Sequence, residues 1–358
     1  MHQISQVDRI IAARELRERL LSDRYRPGYH FVVPEDVGHP GDPNGAFYAN
    51  GRYHLMYLYS RRGLAGMDNK GFSWGHVSSH DLLHWRHHPD AIFPSDGDGG
   101  CFSGGAFVDD DGTAYLSFWR LPLQGGKAGA EGEGIGIARS TDANYDYWEK
   151  LDIPSLDASE WGIRELKDAD NNSLSIGNAD PSNIWKKDGV YYMQAGNLLV
   201  LNKLGRKPDS RQRYRGDWVE LLRSKDLINW EFVHRFYQRD VNNLWTEESE
   251  DDMCPSFLPL PSSRNGGELS GKYLQLFISH NRGCQYYVGN YDTDRDLFLP
   301  EKHGRMSWVD NTFFAPEAVM DARNRQIMWA WLTDNPHKEL DDMIHDGWSG
   351  VYGLPRVL

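Results

Sequence analysis

One plan of two strands joined by a turn recurs five times along this 358-residue chain. The first strand of each copy opens with a short motif that carries polar or proline residues, and an aromatic-rich strand follows. The five openings are Asp42-Pro43-Asn44-Gly45, Phe102-Ser103-Gly104-Gly105, Ala179-Asp180-Pro181-Ser182, Cys254-Pro255-Ser256-Phe257 and Ala315-Pro316-Glu317-Ala318. Repetition at this scale is typical of radial or stacked architectures. It predicts an all-β fold, a five-bladed β-propeller, whose strand openings converge on one axis.

Turn signals separate the strands within each copy. Asn50-Gly51, Asp111-Gly112 and Asp188-Gly189 are dipeptides that favour tight hairpins. A third strand is marked by two stretches of identical spacing, Ser79 to Trp85 and Ser224 to Trp230. Their Ser and Asp side chains can close a turn through bonds to the backbone. We interpret this element as structural.

The chain divides into an N-terminal helical extension, residues 1–24, and a propeller domain, residues 25–358. Apolar residues at helical spacing among arginines and acids predict the helix, and they include Ile10, Ile11, Leu16, Leu20 and Leu21. This segment lacks the apolar core of a secretory signal, so we expect a cytoplasmic location.

Charge and composition limit the partners. A net charge of −13 argues against binding to nucleic acid or to an anionic membrane surface. No apolar window is long enough to cross a bilayer. The 13 tryptophans are expected mostly in the core, although aromatic faces also pack on sugar rings. The oligomeric state is left open.

No metal or other cofactor is expected. Three scattered cysteines do not form a disulfide framework or a zinc site, so we expect buried free thiols at Cys101, Cys254 and Cys284. Three histidines, His84, His87 and His88, flank a structural tryptophan and are expected on the surface rather than around an ion.

Acidic residues stand at equivalent places in different copies. Asp42 and Asp180 each precede a proline, which holds the acid at a rigid strand start. Further acids lie just before Cys254, at positions 247, 248, 250, 251 and 252. Glycoside hydrolysis needs two carboxylates that flank the scissile bond, and a third can stabilise the transition state. The acids of the propeller axis are therefore candidate catalytic groups.

From about Tyr25 to Leu358 the chain resembles glycoside hydrolase family 32, the β-fructofuranosidases. The resemblance rests on six stretches: His39 to Gly45, Trp74 to Trp85, Phe102 to Ala106, Asp180-Pro181, Cys254-Pro255 and Trp348 to Arg356. It implies a catalytic propeller that acts on a carbohydrate. The β-sandwich that follows the propeller in this family is not expected here.

The resemblance also implies roles by position. Asp42 falls where the family has its nucleophile, and Asp180 where it has the transition-state stabiliser. The acid/base is assigned to Glu250, with Asp252 and Asp251 as alternatives. Phe102 and Ser103 are expected to line the fructose subsite. Three further substrate-binding candidates are Trp74, Asn44 and Asn183.

Four positions depart from the family pattern. The family has Asn at Gly41, Gln at Leu58, Arg at Ala179 and the acid/base Glu at Met253. The acids are kept while the residues that grip the sugar are changed, which leaves the substrate open.

Four functions fit these observations. We expect a retaining glycosidase that releases fructose from terminal β-fructofuranosides. The alternatives are a fructosyltransferase, a glycosidase for another furanoside, and a propeller that binds sugar without catalysis.

Overall fold

The computed structural model describes residues 6–28, 30–31, 39–60, 71–95, 97–122, 132–199, 216–240, 242–307, 312–334, 342 and 345–358. A helix, α1, spans Gln6–Ser22 and precedes a series of antiparallel sheets. The predicted N-terminal helix is therefore confirmed. Most of its described apolar side chains, such as Val7 and Leu21, are exposed, and Leu20 is buried. No helix in the described part of the chain combines the length and apolarity needed to span a bilayer.

The sheets form five blades, as the repeats predict. Blade 1 contains β1 (His39–Ala49), β2 (Arg52–Ser60), β3 (Phe72–Ser79) and β4 (Arg86–His87), and blade 2 contains β5 (Gly100–Val108), β6 (Ala114–Leu121), β7 (Gly134–Ser140) and β8 (Glu149–Lys150). A short 3₁₀ turn at Pro154–Leu156 and a two-stranded ribbon, β9 (Ile163–Lys167) with β10 (Ser173–Gly177), are inserted before the third blade.

The remaining blades follow the same order. Blade 3 contains β11 (Ala179–Pro181), β12 (Trp185–Lys187), β13 (Val190–Gly196), β14 (Trp218–Ser224) and β15 (Trp230–Gln238). Blade 4 contains β16 (Met253–Pro261), β17 (Leu269–Ser279), β18 (Gly283–Asp292) and β19 (Leu297–Arg305). Blade 5 contains β20 (Phe313–Met320) and β21 (Gln326–Leu332), and both β22 (Val351–Tyr352) and β23 (Arg356–Val357) pair with β21.

The predicted turns form because their residues tolerate a positive φ. Asn50 and Gly51 have φ values of 52° and 74°, and Asp188 and Gly189 have 52° and 76°. Positive φ at two successive residues is the hairpin geometry that Asn-Gly and Asp-Gly favour. In the third-strand element, Asp81 Oδ1 accepts hydrogen bonds from two backbone N–H groups, as Asp226 does in blade 3. The structural interpretation of this element is confirmed.

Aromatic side chains fill the wedges between blades. Trp74, Trp218 and Trp329 are among the largest fully buried side chains. The ring also closes through polar contacts between its last and first blades. The Ala46 amide donates to Glu317 Oε1 at 2.6 Å, and the Tyr53 hydroxyl donates to Asp321 Oδ2 at 2.9 Å. These contacts join the first two strands of blade 1 to β20 and to the residue that follows it.

Candidate active site

Each innermost strand carries a β-bulge at the equivalent place. The register of β1, β5, β11, β16 and β20 against its partner shifts at positions 40–43, 101–104, 179–181, 253–256 and 314–317. A bulge bends the strand and re-aims the side chain at that point. We take one residue from each bulge and call these five the ring residues: Asp42, Ser103, Asp180, Cys254 and Ala315.

Three of the ring residues have a left-handed backbone. Asp180, Cys254 and Ala315 have φ values of 34°, 47° and 47°. Residues other than glycine adopt this region rarely, and such strain is found at functional sites. The ring is therefore set by the backbone of the bulges, with different side chains at equivalent positions.

Direct contacts bring the two predicted catalytic acids together. The Ser103 hydroxyl donates to Asp42 Oδ2 at 2.5 Å. The thiol of Cys254 lies 3.6 Å from the same oxygen and 3.3 Å from Asp180 Oδ2. One thiol thus contacts both carboxyl groups, and residues of four blades meet at this point.

Burial controls the ionisation of the pair. It raises the pKa of Asp180 to about 7, and the charge of Asp42 acts in the same direction. Burial also raises the pKa of Asp42, although the bonds from Ser103 and Cys254 oppose the rise. The charge of His280 lowers the pKa of both acids. Two neighbouring carboxyl groups with raised pKa values are typical of catalytic sites.

An aromatic wall flanks the ring. Phe72 stacks on Phe102 with 4.6 Å between ring centroids, and Phe102 stacks on Trp119 at 5.4 Å. Trp119 and Trp161 pack edge to face, with 5.1 Å between their ring centroids. All but Trp119 are only half-buried. Such a wall offers the apolar faces on which sugar rings can pack.

The positions that depart from the family pattern pack in different parts of the core, Leu58 with Trp74 and Ala179 with Met253. Leu58, Ala179 and Met253 are all buried, and Met253 packs with Ala179 under the ring residue Cys254. A β-carbon placed at Gly41 would lie 3.0 Å from Leu58 Cδ2. Leu58 thus packs against the space that a side chain at position 41 would need. The glycine at position 41 and the leucine at position 58 therefore fit each other sterically.

Glu250 lies in a buried ion pair. Its Oε1 accepts from Arg305 at 2.7 Å and its Oε2 accepts from Gln285 at 2.7 Å. It is fully buried, and no contact joins it to Asp42 or Asp180, all three of which are described residues. This placement does not support the acid/base role expected for Glu250. Both oxygens of its carboxyl group are engaged by Arg305 and Gln285, which lie on the outer strands of blade 4.

The alternative acids lie closer to the ring in sequence but are also engaged. Asp252 is fully buried, and burial together with the charge of Asp217 raises its pKa well above the ordinary value. Asp251 is fully buried as well, and its carboxylate binds His280. His280 was not among the residues expected from the sequence. Counting the β16–β17 register back from Met253, which faces Ile278, places Asp251 opposite His280.

The other predicted substrate-binding residues divide into two groups. Phe102 and Ser103 lie at the ring. Trp74 is fully buried and donates its indole N–H to the Phe102 carbonyl at 3.1 Å, so it supports the subsite from behind rather than facing a sugar. Asn183 binds the backbone of Phe257 through both side-chain atoms. Asn44 is 2% exposed, and its amide donates to no described residue.

The expected surface position of the histidines is wrong for His88, whose side chain is only 1% exposed. Ring nitrogens of His54, His76 and His88 lie within 4.8 Å of one another. However, the rings of His76 and His88 stack face to face at 4.0 Å, and one ion cannot lie in both ring planes. His88 is held by Asp146 and Ser78. The cluster is thus a hydrogen-bonded part of the core between blades 1 and 2.

The cysteines are free, as predicted. Cys101 and Cys284 are buried, and Cys254 is half-buried. The sequence prediction gave Cys254 no part in the site. Its equivalence to Asp42 and Asp180 in the repeat was the available signal.

Comparison with known proteins identifies relatives of the chain. A β-fructofuranosidase of Daucus carota, insoluble isoenzyme 2, is 28% identical over 357 residues, which cover 93% of this chain and 52% of that protein. A fructan 1-exohydrolase of Aegilops speltoides is 29% identical over 367 residues, with 94% and 53% covered. The chain spans about half the length of the curated relatives it matches.

Solved structures agree on the fold. The crystal structure of fructan 1-exohydrolase IIa from Cichorium intybus matches with a TM-score of 0.69 at 24% identity, over 94% of this chain and 58% of that one. The family model described as the N-terminal domain of glycosyl hydrolases family 32 matches residues 30–358, nearly the whole chain, and the chain therefore belongs to this family.

Proposed function

We propose that the protein is a retaining glycoside hydrolase that releases fructose from terminal β-fructofuranosides. The observation that carries the proposal is the convergence of Asp42 and Asp180 on the Cys254 thiol at the bulged ring. The names of its relatives support the same substrate class, since they include β-fructofuranosidases and fructan 1-exohydrolases.

In this proposal Asp42 attacks the anomeric carbon and Asp180 stabilises the charge that develops on the sugar ring. Ser103 and Cys254 donate to Asp42 and hold its carboxylate in one orientation. Asp180 lies beside it with a raised pKa and can bind sugar hydroxyls as donor or acceptor. Retention requires that the second carboxyl or another acid protonate the leaving oxygen. Glu250 stays a prediction for that role, and its contacts weigh against it.

A non-catalytic sugar-binding propeller is the second candidate. The buried Met253 favours it, because this apolar residue stands where the family has its acid/base Glu. A fructosyltransferase would use the same acids and would differ only in the acceptor that replaces water.

The proposal is tested by incubating the protein with sucrose, inulin, levan and short fructo-oligosaccharides and measuring free fructose. We expect release from at least one of them. Asp42→Asn should lower the rate by about 10³-fold or more, because the nucleophile is lost. Asp188→Asn is the matched control, since Asp188 is an exposed turn residue where Asn fits the positive φ.

Each outcome separates the candidates. Binding without release by the unaltered protein would favour the binding propeller. Sugar products longer than the substrate would favour fructosyl transfer. Near-normal turnover by the Asp42→Asn variant would contradict the assigned nucleophile. The cytoplasmic location stays a prediction, to be tested by cell fractionation.

A further inference from the structure

We propose that His280 is the proton donor and acceptor of this site and that the buried Asp251 positions it. The inference rests on the proposed function and assigns the step that Glu250 is poorly placed to perform. It follows from the contacts of the turn between β17 and β18, where His280 lies one residue beyond the end of β17.

The antiparallel register of blade 4 builds the pair. Met253 faces Ile278 across β16 and β17, so two residues further back Asp251 faces His280. The His280 amide donates to Asp251 Oδ1 at 3.0 Å, and the ring nitrogen Nδ1 contacts Asp251 Oδ2. Two contacts to one carboxylate fix both the backbone and the ring of His280.

The pair lies beside the ring residues. The His280 ring contacts Phe314 edge-on, with 6.1 Å between centroids. Phe314 directly precedes Ala315 and belongs to the apolar cluster that includes Cys254 and Met253. The electrostatic influence of His280 on both Asp42 and Asp180 is consistent with this position.

Exposure and charge suit the role. The Asp251 side chain is 0% exposed, and that of His280 is 40% exposed. A buried carboxylate that binds Nδ1 leaves Nε2 on the opposite side of the ring and stabilises the imidazolium form. Among the described residues, the other charged groups near the pair include Asp42 and Asp180 at the ring, Asp252, whose pKa the charge of Asp251 raises, and Arg282, which pairs with Glu247. An imidazole held in this way can serve as a general acid when it is protonated and as a general base when it is neutral.

The reaction needs only the fructoside and one water molecule. Asp42 attacks the anomeric carbon while the bond to the leaving oxygen breaks, and His280 transfers its Nε2 proton to that oxygen. Neutral His280 then takes a proton from water as the water oxygen attacks the same carbon and releases Asp42. Fructose leaves, and His280 is again protonated.

The test compares leaving groups in His280→Gln. Release of fructose from a fructo-oligosaccharide, whose leaving oxygen needs a proton, should fall by about 10²–10⁴-fold. Cleavage of 4-nitrophenyl β-D-fructofuranoside in the presence of azide should fall much less, because nitrophenolate leaves unprotonated and azide attacks without a base. A fructosyl azide product is expected from the variant. The matched control is His84→Gln, which alters another Asp–His pair on an exposed turn.

The outcomes are distinct. Equal losses on both substrates in a folded variant, or no loss on either, would overturn the inference and leave the proposed function standing. If Glu250→Gln, and not His280→Gln, loses activity on the oligosaccharide but keeps it on the nitrophenyl substrate, the inference is overturned and Glu250 is the proton donor. A wild-type protein that releases fructose from neither substrate would overturn the proposed function as well. Thermal unfolding checks that each variant is folded, and His280→Asn serves if the Gln variant is not.

Asp251 is tested as a positioning residue through Asp251→Asn. Loss of its charge should move the alkaline limb of kcat/KM to lower pH, since the imidazolium loses its buried partner. KM should stay within about threefold, because Asp251 is fully buried and does not face the sugar. A lower rate with an unmoved alkaline limb would show a structural role only and would overturn the positioning assignment.

Discussion

The Sγ atom of Cys254 lies 3.3 Å from Asp180 Oδ2, on the side where it also reaches Asp42. Burial raises the pKa of this thiol well above its ordinary value, so it remains protonated and acts as a donor. A neutral donor between two acids reduces their mutual repulsion without adding charge.

Replacement of Cys254 should separate this effect from packing. Cys254→Ala removes the donor, and we expect kcat to fall by about 2–10-fold, the range for one hydrogen bond. Cys254→Ser keeps a donor and should retain more activity. Steady-state kinetics on the best fructoside measure both. Equal activity of the Ala and Ser variants would argue that only the volume of the thiol matters.

Asp180→Asn should stabilise the fold at alkaline pH. The folded-state pKa of about 7 lies above the ordinary value of 3.8, so the stability linked to this group is present at low pH and lost as pH rises towards 7. At pH 8 the variant should gain up to about 4 kcal/mol in the free energy of unfolding, with a smaller gain at pH 5. Denaturant unfolding at both pH values measures it. A gain that does not depend on pH would contradict the linkage.

The buried histidines should make the fold sensitive to acid. Burial lowers the pKa of His54 to about 3, whereas an unfolded His titrates near 6.5. Stability is therefore complete above pH 6.5 and is lost as pH falls from 6.5 towards 3. His54→Gln should flatten the decline of Tm between pH 6.5 and 4.5, and the exposed His84→Gln should not. An unchanged slope in His54→Gln would count against this cause.

Glu250→Gln should affect stability more than chemistry. Removing one partner of a buried ion pair leaves Arg305 uncompensated and costs about 3–5 kcal/mol. Arg305 is partly exposed, so we expect the lower end of that range. Tm should fall by several degrees, while kcat of the folded fraction should change less than about threefold. A large loss of kcat with unchanged Tm would restore Glu250 as the acid/base.

Gly41 and Leu58 should be energetically coupled. Gly41→Ala places a β-carbon 3.0 Å from Leu58 Cδ2 and should destabilise the fold by about 1–3 kcal/mol. The same substitution in a Leu58→Ala background should be nearly neutral, because the contact is gone. A double-mutant cycle from denaturant unfolding measures the coupling. Additive effects would show that the backbone around position 41 relaxes freely.

The sequence allowed the architecture and the two axial acids to be predicted, because both depend on local signals that repeat. Asn50-Gly51 sets a hairpin, and the proline after Asp42 or Asp180 marks a strand start. The position of Glu250 could not be predicted in this way. A run of neighbouring acids has no internal signal for which one turns inward, and the partner Arg305 is 55 residues away.

The pairing of His280 with Asp251 could not be predicted from the sequence for a related reason. The pairing depends on the register between β16 and β17, which the bulge after Met253 shifts. A bulge adds a residue to one strand only, so strand boundaries read from the sequence do not give the register beyond it. His54 and His76 likewise meet across neighbouring strands, with no spacing typical of a cluster.

The left-handed bulges offer a route to redesign. Asp, Cys and Ala adopt the same strained conformation at three of the five ring residues, so this backbone shape tolerates chemically different side chains. Ala315 is the ring residue without a functional group, and it is buried beside Phe314. A library of small side chains at position 315 would therefore test whether a new polar group at the ring changes which sugars the protein accepts.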